Sequence, residues 1–465
     1  MSSPGRSPAP WDRVIVANRL PVEPVPGSPD AWRSAPGGVV SALRSTALAD
    51  SCTWVGYAQG QVPARAGSIQ LEAVGIDSAT YQSSYDGLCN STLWPLYHDA
   101  LRLTTFDQAE FRAYERVNLA FAERVAEVAS VGASVWIHDY QLQLVPLLLR
   151  EKRPDLRIGF FLHTPFPVPE VFARLPWREH ILSGILGADL VGLQTPGDAR
   201  RFREACVRMS GHETTNGAVH LGDRRVAIDS FPVGVDASAL TAAALTPLAR
   251  ARAGALRQEW GSPRTVLLGV DRLDYTKGIP QRLRAYADAL SRGDLDARES
   301  VFVQVATPTR GTVADYQEEA AEVARLVDGI NERYPSAPVI YYVNRALALD
   351  DLVAHYLAAD VLVCSPFRDG MNLVAKEFVA CRTDGTGAIV LSEFAGAAQQ
   401  LSRAWLVNPF DLDDLRRALV EAALSPAAEA RARMLEMRKS VQEEDVHAWA
   451  TAFLSALESI HVMRG

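Results

Sequence analysis

Short apolar runs typical of buried strands alternate with helical patterns along most of the chain. Strands of this kind occur in parallel sheets, where helices cover both faces. The pattern restarts after residues 231–235, which indicates two successive sheets. The predicted strands are residues 14–17, 134–137, 158–162 and 190–193 in the first half and residues 265–270, 301–306, 339–343, 361–364 and 388–391 in the second half, with predicted helices at 109–131, 142–150 and 445–462.

This alternation predicts an α/β fold of two Rossmann-like, doubly wound parallel-sheet domains that face a deep cleft. Ligands in such sheets bind at the carboxyl ends of the strands, so we expect the functional residues there. The predicted division is residues 1–12 as a disordered tail, 13–233 as the first domain, 234–444 as the second domain, and 445–465 as a helix that packs back on the first domain.

The composition of the 465 residues is that of a soluble globular protein, with 48% hydrophobic and 22% charged residues. No apolar run approaches the ~20 residues that a membrane helix needs, and the N-terminus lacks the hydrophobic core of a signal peptide. The net charge of −8 argues against non-specific nucleic-acid binding. Five scattered cysteines without metal-ligand spacing fit reduced core thiols. We therefore expect a cytoplasmic protein with neither membrane nor nucleic-acid partners.

Polar and charged residues directly follow the predicted strands. One such residue is as often structural as functional, but six loops of this kind are hard to explain by surface chemistry alone. Because the carboxyl ends of parallel strands share one edge of a sheet, these side chains are candidates for ligand binding. The residues concerned are Asn18, Arg19, His138, Asp139, His163, Arg272, Lys277, Arg310 and Asp369.

The segment 365–377 has the pattern of a strand end, a glycine turn and a helix start. Asp369 and Gly370 form the turn, and Glu377 lies eight residues after Asp369. A helix N-terminus binds phosphate groups through its backbone N–H groups, whereas two carboxylates would repel a simple phosphate. The segment therefore favours a polyhydroxylated ligand attached to a diphosphate.

A second candidate site for the diphosphate is the loop that carries Arg272 and Lys277. A planar guanidinium and a compact ammonium on one loop suit such a group. The alternative is a surface ion pair with Asp271 or Asp274. The glycine pair 37–38 lets a backbone approach a phosphate closely, although such pairs usually mark turns.

The segment around Tyr85 and Trp94 has weak secondary-structure character. Aromatic residues on irregular loops often form platforms for sugars, but an aromatic that anchors a loop to the core is an equal alternative. Asp198 and Arg200 have the pattern of ordinary helix-surface charges.

Longer motifs add a family resemblance to these patterns. The chain resembles the trehalose-6-phosphate synthases, retaining glycosyltransferases of the two-domain GT-B fold, from near Val14 to near His461. Several of the matching segments are long and highly specific. They are VANRLP, APGG, LWP, WIHDYQL, GFFLHTPFP, FPVGVD, VDRLDYTKG, PTRG, RDGMNLVAKE and LSEFAGAA.

The resemblance implies transfer of glucose, with retention, from UDP- or GDP-glucose to glucose 6-phosphate. It places the acceptor in the first domain and the nucleotide sugar in the second. The implied acceptor-binding residues are Arg19, Tyr85, Trp94, Asp139 and Arg310. The implied donor-binding residues are Gly37, Gly38, His163, Arg272, Lys277, Asp369, Gly370, Met371, Asn372, Leu373 and Glu377, of which Arg272, Lys277, His163 and Asp369 form the implied catalytic set.

The resemblance also implies neither a metal nor a cofactor, because Arg272 and Lys277 would stabilise the leaving diphosphate, and we expect a homo-oligomer. Leu347 stands where an aromatic residue is expected near the nucleotide base, which leaves the base undecided. One alternative is a sister transferase with another phosphorylated acceptor (a glucosylglycerol-phosphate synthase or a pseudo-glycosyltransferase). Another is a catalytically silent sugar-phosphate sensor, against which the intact catalytic set argues.

Overall fold

The chain folds into two compact units, residues 1–231 with 449–465, and residues 232–448. They are called the first and the second unit below. Gly37, Gly38 and most of the predicted tail lie outside the described residues. The computed structural model describes residues 11–25, 28–35, 40, 42–43, 52–60 and 62–462.

The described part of the first unit is built on a ten-stranded sheet, with a separate two-stranded hairpin. The strands are β1 (Trp11–Arg19), β2 (Val22–Val25), β3 (Ser28–Ser34), β4 (Thr53–Tyr57), β5 (Arg65–Ala66), β6 (Ile69–Val74), β7 (Ala129–His138), β8 (Arg157–Phe161), β9 (Leu190–Leu193), β10 (Thr214–Thr215), β11 (Ala218–Leu221) and β12 (Arg224–Ser230). The sheet has the order β10-β11-β12-β9-β8-β7-β1-β4-β6-β5, and β2 pairs with β3. From β12 to β6 all neighbours are parallel.

The strand order of this sheet reverses at β1, which lies between β4 and β7. The buried run Val14–Val16 pairs with both neighbours in parallel register. Such a reversal sends the connections after β1 and β7 to opposite faces of the sheet and leaves room for a ligand between them. Arg19 and Asp139 therefore lie at the reversal point of the first unit.

Helices in the first unit differ from the predicted ones at three places. The predicted helix 142–150 begins at Val145 and ends at Lys152, after a 3-10 turn at Tyr140–Leu142. The predicted helix 109–131 ends at Val128 because β7 begins at the next residue. The prediction of an irregular loop around Tyr85 and Trp94 was wrong, since Tyr85 lies in a π-helix and Trp94 begins a short α-helix. The helical segments are α1 (Ser78–Gln82), the π-helix (Ser83–Leu93), α2 (Trp94–Tyr97), α3 (Gln108–Val128), α4 (Val145–Lys152), α5 (Pro169–Phe172), α6 (Arg178–Ile185) and α7 (Pro196–Ser210), with 3-10 turns at Leu101–Leu103 and Tyr140–Leu142.

The second unit contains a parallel sheet of six strands among its described residues. The strands are β13 (Thr265–Arg272), β14 (Ser300–Thr307), β15 (Ile340–Val343), β16 (Val361–Cys364), β17 (Ala388–Ser392) and β18 (Trp405–Val407). Their order, β15-β14-β13-β16-β17-β18, is that of the dinucleotide-binding Rossmann sheet, with its reversal between β13 and β16. The helices are α8 (Ala237–Leu245), α9 (Pro247–Glu259), α10 (Ile279–Ser291), α11 (Ala314–Asn331), α12 (Leu349–Ala358), α13 (Leu373–Cys381), α14 (Leu412–Leu424) and α15 (Ala427–Glu443), with 3-10 turns at Tyr275–Lys277 and Gly396–Gln399.

The core of the second unit forms where amphipathic helices pack against a sheet that is buried on both faces. On α10 the apolar residues Ile279, Leu283 and Tyr286 recur at helical spacing, and they share one buried cluster with Leu267 of β13 and Phe302 of β14. This spacing places them on one face of the helix. The sheet therefore fixes where the loop between β13 and α10 must begin and end.

The last helix, α16 (Val446–Val462), covers the middle of the first unit's sheet. The Phe453 ring stacks on that of Trp136 with 4.7 Å between centroids, and Trp449 lies 4.9 Å from the same ring. No side chain larger than glycine fits beneath Phe453 at Gly159 or Gly192, where a Cβ atom would lie 2.7 Å from the ring. The C-terminus of the chain thus completes the core of its N-terminal unit.

The two ends of the second unit lie side by side. The backbone N–H of Val446 donates to the carbonyl of Val235 at 3.1 Å. Lys376 of α13, which is 1% exposed, donates through its Nζ to the carbonyl of Val233 at 2.6 Å. Burial lowers the pKa of Lys376 to about 7. A buried lysine therefore connects the entering segment to α13, the helix that begins within segment 365–377.

Two further expectations concern the cysteines and membrane segments. All five cysteines are buried and unpaired by disulfides, which confirms the prediction of core thiols. None of the helices within the described ranges is long and apolar enough to cross a membrane.

The turn before α10 requires a glycine at position 278. Gly278 has φ of +62°, and a Cβ atom there would lie 2.4 Å from the carbonyl oxygen of Ser365. A left-handed backbone costs a side-chain-bearing residue about 1–2 kcal/mol, and a contact this short forces a backbone to move. Gly278 therefore lets the loop after β13 press against the chain that leaves β16.

We expect Gly278→Ala to lower the thermal unfolding midpoint, because it adds a clash with Ser365 to the conformational cost. Gly293→Ala is the matched control, since Gly293 has φ of +76° but open space around its Cβ position. Calorimetry should show a loss of about 1 kcal/mol for the control and a further ~1–3 kcal/mol for Gly278→Ala. Equal losses would contradict the close approach.

Candidate active site

The loops after β13 and β16 meet at the reversal point of the second unit. Lys277 Nζ lies 2.6 Å from Asp369 Oδ2, and the two side chains are 11% and 15% exposed. Asn372 donates through its Nδ2 to the same carboxylate oxygen at 3.3 Å. The structure thus brings together Lys277, Asp369 and Asn372, which the sequence analysis placed in two separate motifs.

A buried guanidinium holds these two loops in place. Arg282 of α10 has no exposed surface and donates to the carbonyls of Lys277 and Val363 at 2.5 and 3.0 Å. It also donates to the Ser365 hydroxyl at 3.0 Å and to Asp271 Oδ2 at 2.5 Å. These contacts join the end of β13, the start of α10 and the end of β16, so Arg282 positions Lys277 through its backbone.

Arg272 ends β13, Arg310 follows the neighbouring strand β14, and both approach one carboxylate. Arg272 Nη2 lies 3.5 Å from Asp274 Oδ2, and Arg310 Nη1 lies 3.7 Å from the same oxygen. Arg310 also donates to the Tyr316 hydroxyl. The pair of Arg272 with Asp274, weighed as a surface ion pair, is present, but its carboxylate is fully buried. The contact is therefore an ion pair with a buried carboxylate and not a pair between two exposed surface charges.

Segment 365–377 forms a turn and continues into α13, as predicted. Asn372 has φ of 83°, and its side-chain oxygen accepts from the N–H of Ala375 at 3.1 Å, which caps the helix. The N–H of Ala397 donates to the carbonyl of Met371 at 2.7 Å. The turn is therefore held from both sides by contacts within the protein.

Glu377 lies in the second helical turn of α13, which begins at Leu373. The loop before this helix contains Gly370. The Tyr356 hydroxyl donates to Glu377 Oε2 at 2.7 Å. Burial raises the pKa of Glu377, and the hydrogen bond from Tyr356 acts in the opposite direction. The carboxyl group is therefore oriented by one donor.

In the first unit, Asp139 and His163 follow the neighbouring strands β7 and β8. Asp139 Oδ1 accepts from the backbone N–H of His163 at 3.1 Å, and the N–H of Asp139 donates to the carbonyl of Phe161 at 2.8 Å. Asp139 has φ of 74°, a conformation that costs free energy and persists where the surroundings impose it. Asp139, Arg310 and Asn372 are three of the six non-glycine residues with positive φ in the described ranges.

His138 and His163 form a neutral pair. His138 Nδ1 lies 3.1 Å from His163 Nε2. Burial lowers the pKa of His163 to about 3 and that of His138 well below its ordinary value. His138 Nε2 is buried without a hydrogen-bond partner among the residues that the structure describes. A buried N–H without a partner is rarer than a buried acceptor without one, so we assign the His138 proton to Nδ1, which leaves the His163 proton on its own Nδ1.

Three further predicted residues of the first unit make contacts with aromatic rings. The guanidinium carbon of Arg19 lies 5.0 Å from the centroid of the Tyr85 ring, and this ring stacks on that of Tyr81 at 5.6 Å. Trp94 is 7% exposed and packs against the ring of Tyr140 at 5.6 Å. The burial of Trp94 matches a core anchor, whereas Arg19 and Tyr85 form a cation–aromatic pair.

The interpretation of Asp198 as a surface charge was wrong. Asp198 is 3% exposed, and its carboxylate accepts from the Thr195 hydroxyl at 2.6 Å and from the N–H of Phe166 at 3.1 Å. A carboxylate in the first turn of a helix is stabilised by the helix dipole and nearby N–H groups. Arg200 is 66% exposed, as predicted.

Sequence reasoning missed Arg282 and the partner role of His138. A usable signal exists for Arg282, because it occupies a position of α10 between the buried residues Ile279 and Leu283, where helical spacing calls for an apolar side chain. For His138 the sequence offers no comparable signal. Its contact with His163 depends on the pairing of β7 with β8.

The profile of glycosyltransferase family 20 matches residues 12–459. The chain belongs to this family. The trehalose-6-phosphate synthase of Mycolicibacterium gilvum is 44% identical over 472 residues, which cover 96% of this chain and 94% of that protein. The family 20 chain is thus a glycosyltransferase of the trehalose-6-phosphate synthase type.

Solved structures of similar proteins confirm the GT-B fold of this family 20 chain. The UDP-forming α,α-trehalose-phosphate synthase from Burkholderia xenovorans, in complex with glucose-6-phosphate, has a TM-score of 0.89 at 30% identity and covers 96% of this chain and 100% of that chain. A structure from E. coli named trehalose-6-phosphate, bound with UDP-2-fluoro glucose, has a TM-score of 0.86 at 29% identity, with coverage of 96% and 98%.

We expect the His163 ring in this family 20 chain to stay neutral from pH 8 to pH 5, since burial lowers its pKa to about 3. An unfolded histidine binds a proton near pH 6.5, so this group destabilises the fold as the pH falls below that value. Nitrogen-15 NMR of labelled histidines should show a constant His163 signal of the Nδ1–H form, assigned with His163→Asn. A histidine peptide is the control. A signal that moves through pH 6.5, or an Nε2–H form, would contradict the assignment.

Proposed function

We propose that the chain transfers glucose, with retention, from a nucleoside-diphosphate glucose to glucose 6-phosphate and so forms α,α-trehalose 6-phosphate. The observation that carries the proposal is the contact of Lys277 with Asp369 at the reversal point of the second unit. A cation for phosphate and an acceptor for sugar hydroxyls lie within 2.6 Å of each other there. A nucleotide sugar needs both where its sugar meets its diphosphate.

The diphosphate of the donor binds to Arg272 and Lys277 in this proposal. Arg272 is 42% exposed, so its guanidinium is accessible to a ligand. Lys277 is mostly buried and oriented by Asp369, which keeps its ammonium in one place. A fixed positive charge stabilises a leaving group more than a mobile one, because no reorganisation is needed during the reaction.

The donor glucose and ribose bind around segment 369–377. Asp369 accepts from the 3-hydroxyl of glucose, and the backbone of Gly370, Met371, Asn372 and Leu373 lines the same ligand. His163, with its proton on Nδ1, donates toward the 6-hydroxyl, and Glu377 binds the ribose. The cap on α13 supports this arrangement, since it fixes the conformation of the turn. The roles of Gly37 and Gly38 stay predictions.

The acceptor glucose 6-phosphate binds to five of the predicted residues in this proposal. Arg19, Tyr85, Trp94 and Asp139 belong to the first unit, and Arg310 belongs to the second. Arg19 and Arg310 hold the phosphate, and Asp139 holds sugar hydroxyls. The left-handed backbone of Asp139 supports a functional role, because such strain is concentrated at binding sites.

Retention arises without a protein nucleophile in this proposal. The acceptor hydroxyl forms a bond to the anomeric carbon on the face from which the diphosphate leaves, and the bond from that carbon to the diphosphate oxygen breaks. The proton of the hydroxyl moves to the leaving phosphate. Arg272 and Lys277 stabilise the charge that develops there, and the acceptor set supplies orientation. Absence of a metal, assembly as a homo-oligomer and a cytoplasmic location stay predictions.

The reaction is tested with purified full-length chain and a matrix of donors and acceptors. UDP-, GDP- and ADP-glucose are each combined with glucose 6-phosphate, glycerol 3-phosphate or a cyclitol phosphate, and release of nucleoside diphosphate is measured. We expect turnover with glucose 6-phosphate and formation of a non-reducing product. Turnover with another acceptor alone would indicate the sister transferase, and binding without turnover would indicate a sensor.

We expect Lys277→Met to lower kcat by ~10²-fold or more, since it removes a charge that acts on the leaving diphosphate. Lys439→Met is the matched control, because Lys439 is 75% exposed and lies in the same unit. Steady-state kinetics at saturating donor and acceptor give kcat for both variants. Near-normal turnover of Lys277→Met would reject its role, provided that its thermal midpoint matches that of the parent.

A further inference from the structure

The carboxylate of Asp274 is the common partner of two arginines with different proposed ligands. Its side chain has no exposed surface. Oδ2 lies 3.5 Å from Arg272 and 3.7 Å from Arg310. Arg272 is proposed to bind the donor diphosphate and Arg310 the acceptor phosphate. One buried oxygen atom therefore contacts a residue of each substrate site.

The second oxygen of the same carboxylate fixes its orientation. Asp274 Oδ1 accepts from the backbone N–H and from the hydroxyl of Thr276, at 3.0 and 2.9 Å. Because these hydrogen bonds hold Oδ1, they also fix the orientation of Oδ2. It points at the ends of β13 and β14, which carry Arg272 and Arg310.

The charge of Asp274 is maintained by its surroundings. Burial opposes ionisation, but the charges of Arg272, Arg310 and Lys277 hold the pKa of Asp274 below its ordinary value. A buried, ionised carboxylate orients the cationic side chains around it, because an unpaired buried charge costs several kcal/mol of folding free energy. The contacts of 3.5 and 3.7 Å are longer than the ~2.7–2.9 Å of a tight charge-assisted hydrogen bond. They set the direction of the guanidinium groups without engaging them in a tight pair.

The strain at Arg310 shows that its position is imposed. Its φ of 48° is unusual for a long side chain, and its side chain is 3% exposed. Tyr316 of α11 holds the guanidinium from the other side. The position of a residue with a strained backbone depends strongly on the groups that surround it. For Arg310 one of these groups is the charged carboxylate of Asp274, which also contacts Arg272.

We propose that Asp274 is a positioning residue that aims Arg272 at the donor and Arg310 at the acceptor, and so makes binding of the two substrates depend on one buried carboxylate. This inference rests on the proposed function, because it uses the ligands assigned there to the two arginines. It assigns to Asp274 no contact with a substrate.

The test uses Asp274→Asn, which keeps an oxygen to accept from Thr276 but replaces the charged Oδ2 by an amide. We expect KM for glucose 6-phosphate and KM for the donor both to rise by about 10-fold or more. Thr276→Val is the matched control, since it removes one hydrogen bond to Asp274 and keeps the charge. It should change either KM by less than about threefold. Thermal midpoints identify a variant that simply fails to fold.

Double variants separate positioning from a merely structural role. If Asp274 acts through Arg310, adding Asp274→Asn to Arg310→Ala should leave KM for glucose 6-phosphate unchanged, while the effect on the donor KM persists. Adding it to Arg272→Ala should show the reverse pattern. Independent effects in both backgrounds, or equal effects of Asp274→Asn and Thr276→Val, would overturn the inference. If the parent chain does not turn over glucose 6-phosphate at all, the proposed function fails first, and isothermal titration of UDP and glucose 6-phosphate then tests the Asp274 variants by binding alone.

Discussion

The buried guanidinium of Arg282 is the interaction on which the candidate site of the second unit depends. Arg282 binds the carbonyl of Lys277, the hydroxyl of Ser365 and the carboxylate of Asp271 at once. A buried charge that loses a partner is strongly destabilising, so these contacts hold or fail together. Because these contacts join the ends of two neighbouring strands, they bring Lys277 and Asp369 together.

The two units prepare their strand ends in different ways. The net charge is −8, yet in the second unit Arg272, Arg310 and Lys277 lie near strand ends beside the buried or mostly buried carboxylates of Asp274 and Asp369. In the first unit the strand ends carry a neutral histidine pair next to Asp139. Local arrangement, rather than overall charge, therefore determines the electrostatics of the candidate site.

The sequence predicted the parts of the fold that depend on burial alone. Runs such as residues 361–364 are continuous apolar strands because helices cover both faces of the sheet, and this leaves a clear pattern. The segment around Tyr85 left no such pattern, since small residues such as Ser84 and Gly87 are buried there by tertiary packing. The burial of Asp198 was not predicted for a related reason. A sequence does not distinguish a buried carboxylate that accepts hydrogen bonds from an exposed one.

The candidate site could be predicted as a set of strand ends but not as a set of contacts. Lys277 and Asp369 are 92 residues apart, and they meet because β13 and β16 are neighbours. The sharing of Asp274 by Arg272 and Arg310 likewise depends on the pairing of β13 with β14. Strand order is a property of the whole sheet, so no local motif contains it.

The adjacent ends of the second unit have a consequence for protein engineering. With Val235 and Val446 hydrogen-bonded to each other, residues 232–448 form an inserted module whose entry and exit coincide. Circular permutation and transplantation succeed where termini are close together. The second unit could thus be moved between family members as one module, with the hydrogen bond from Lys376 to Val233 kept intact in the chimera.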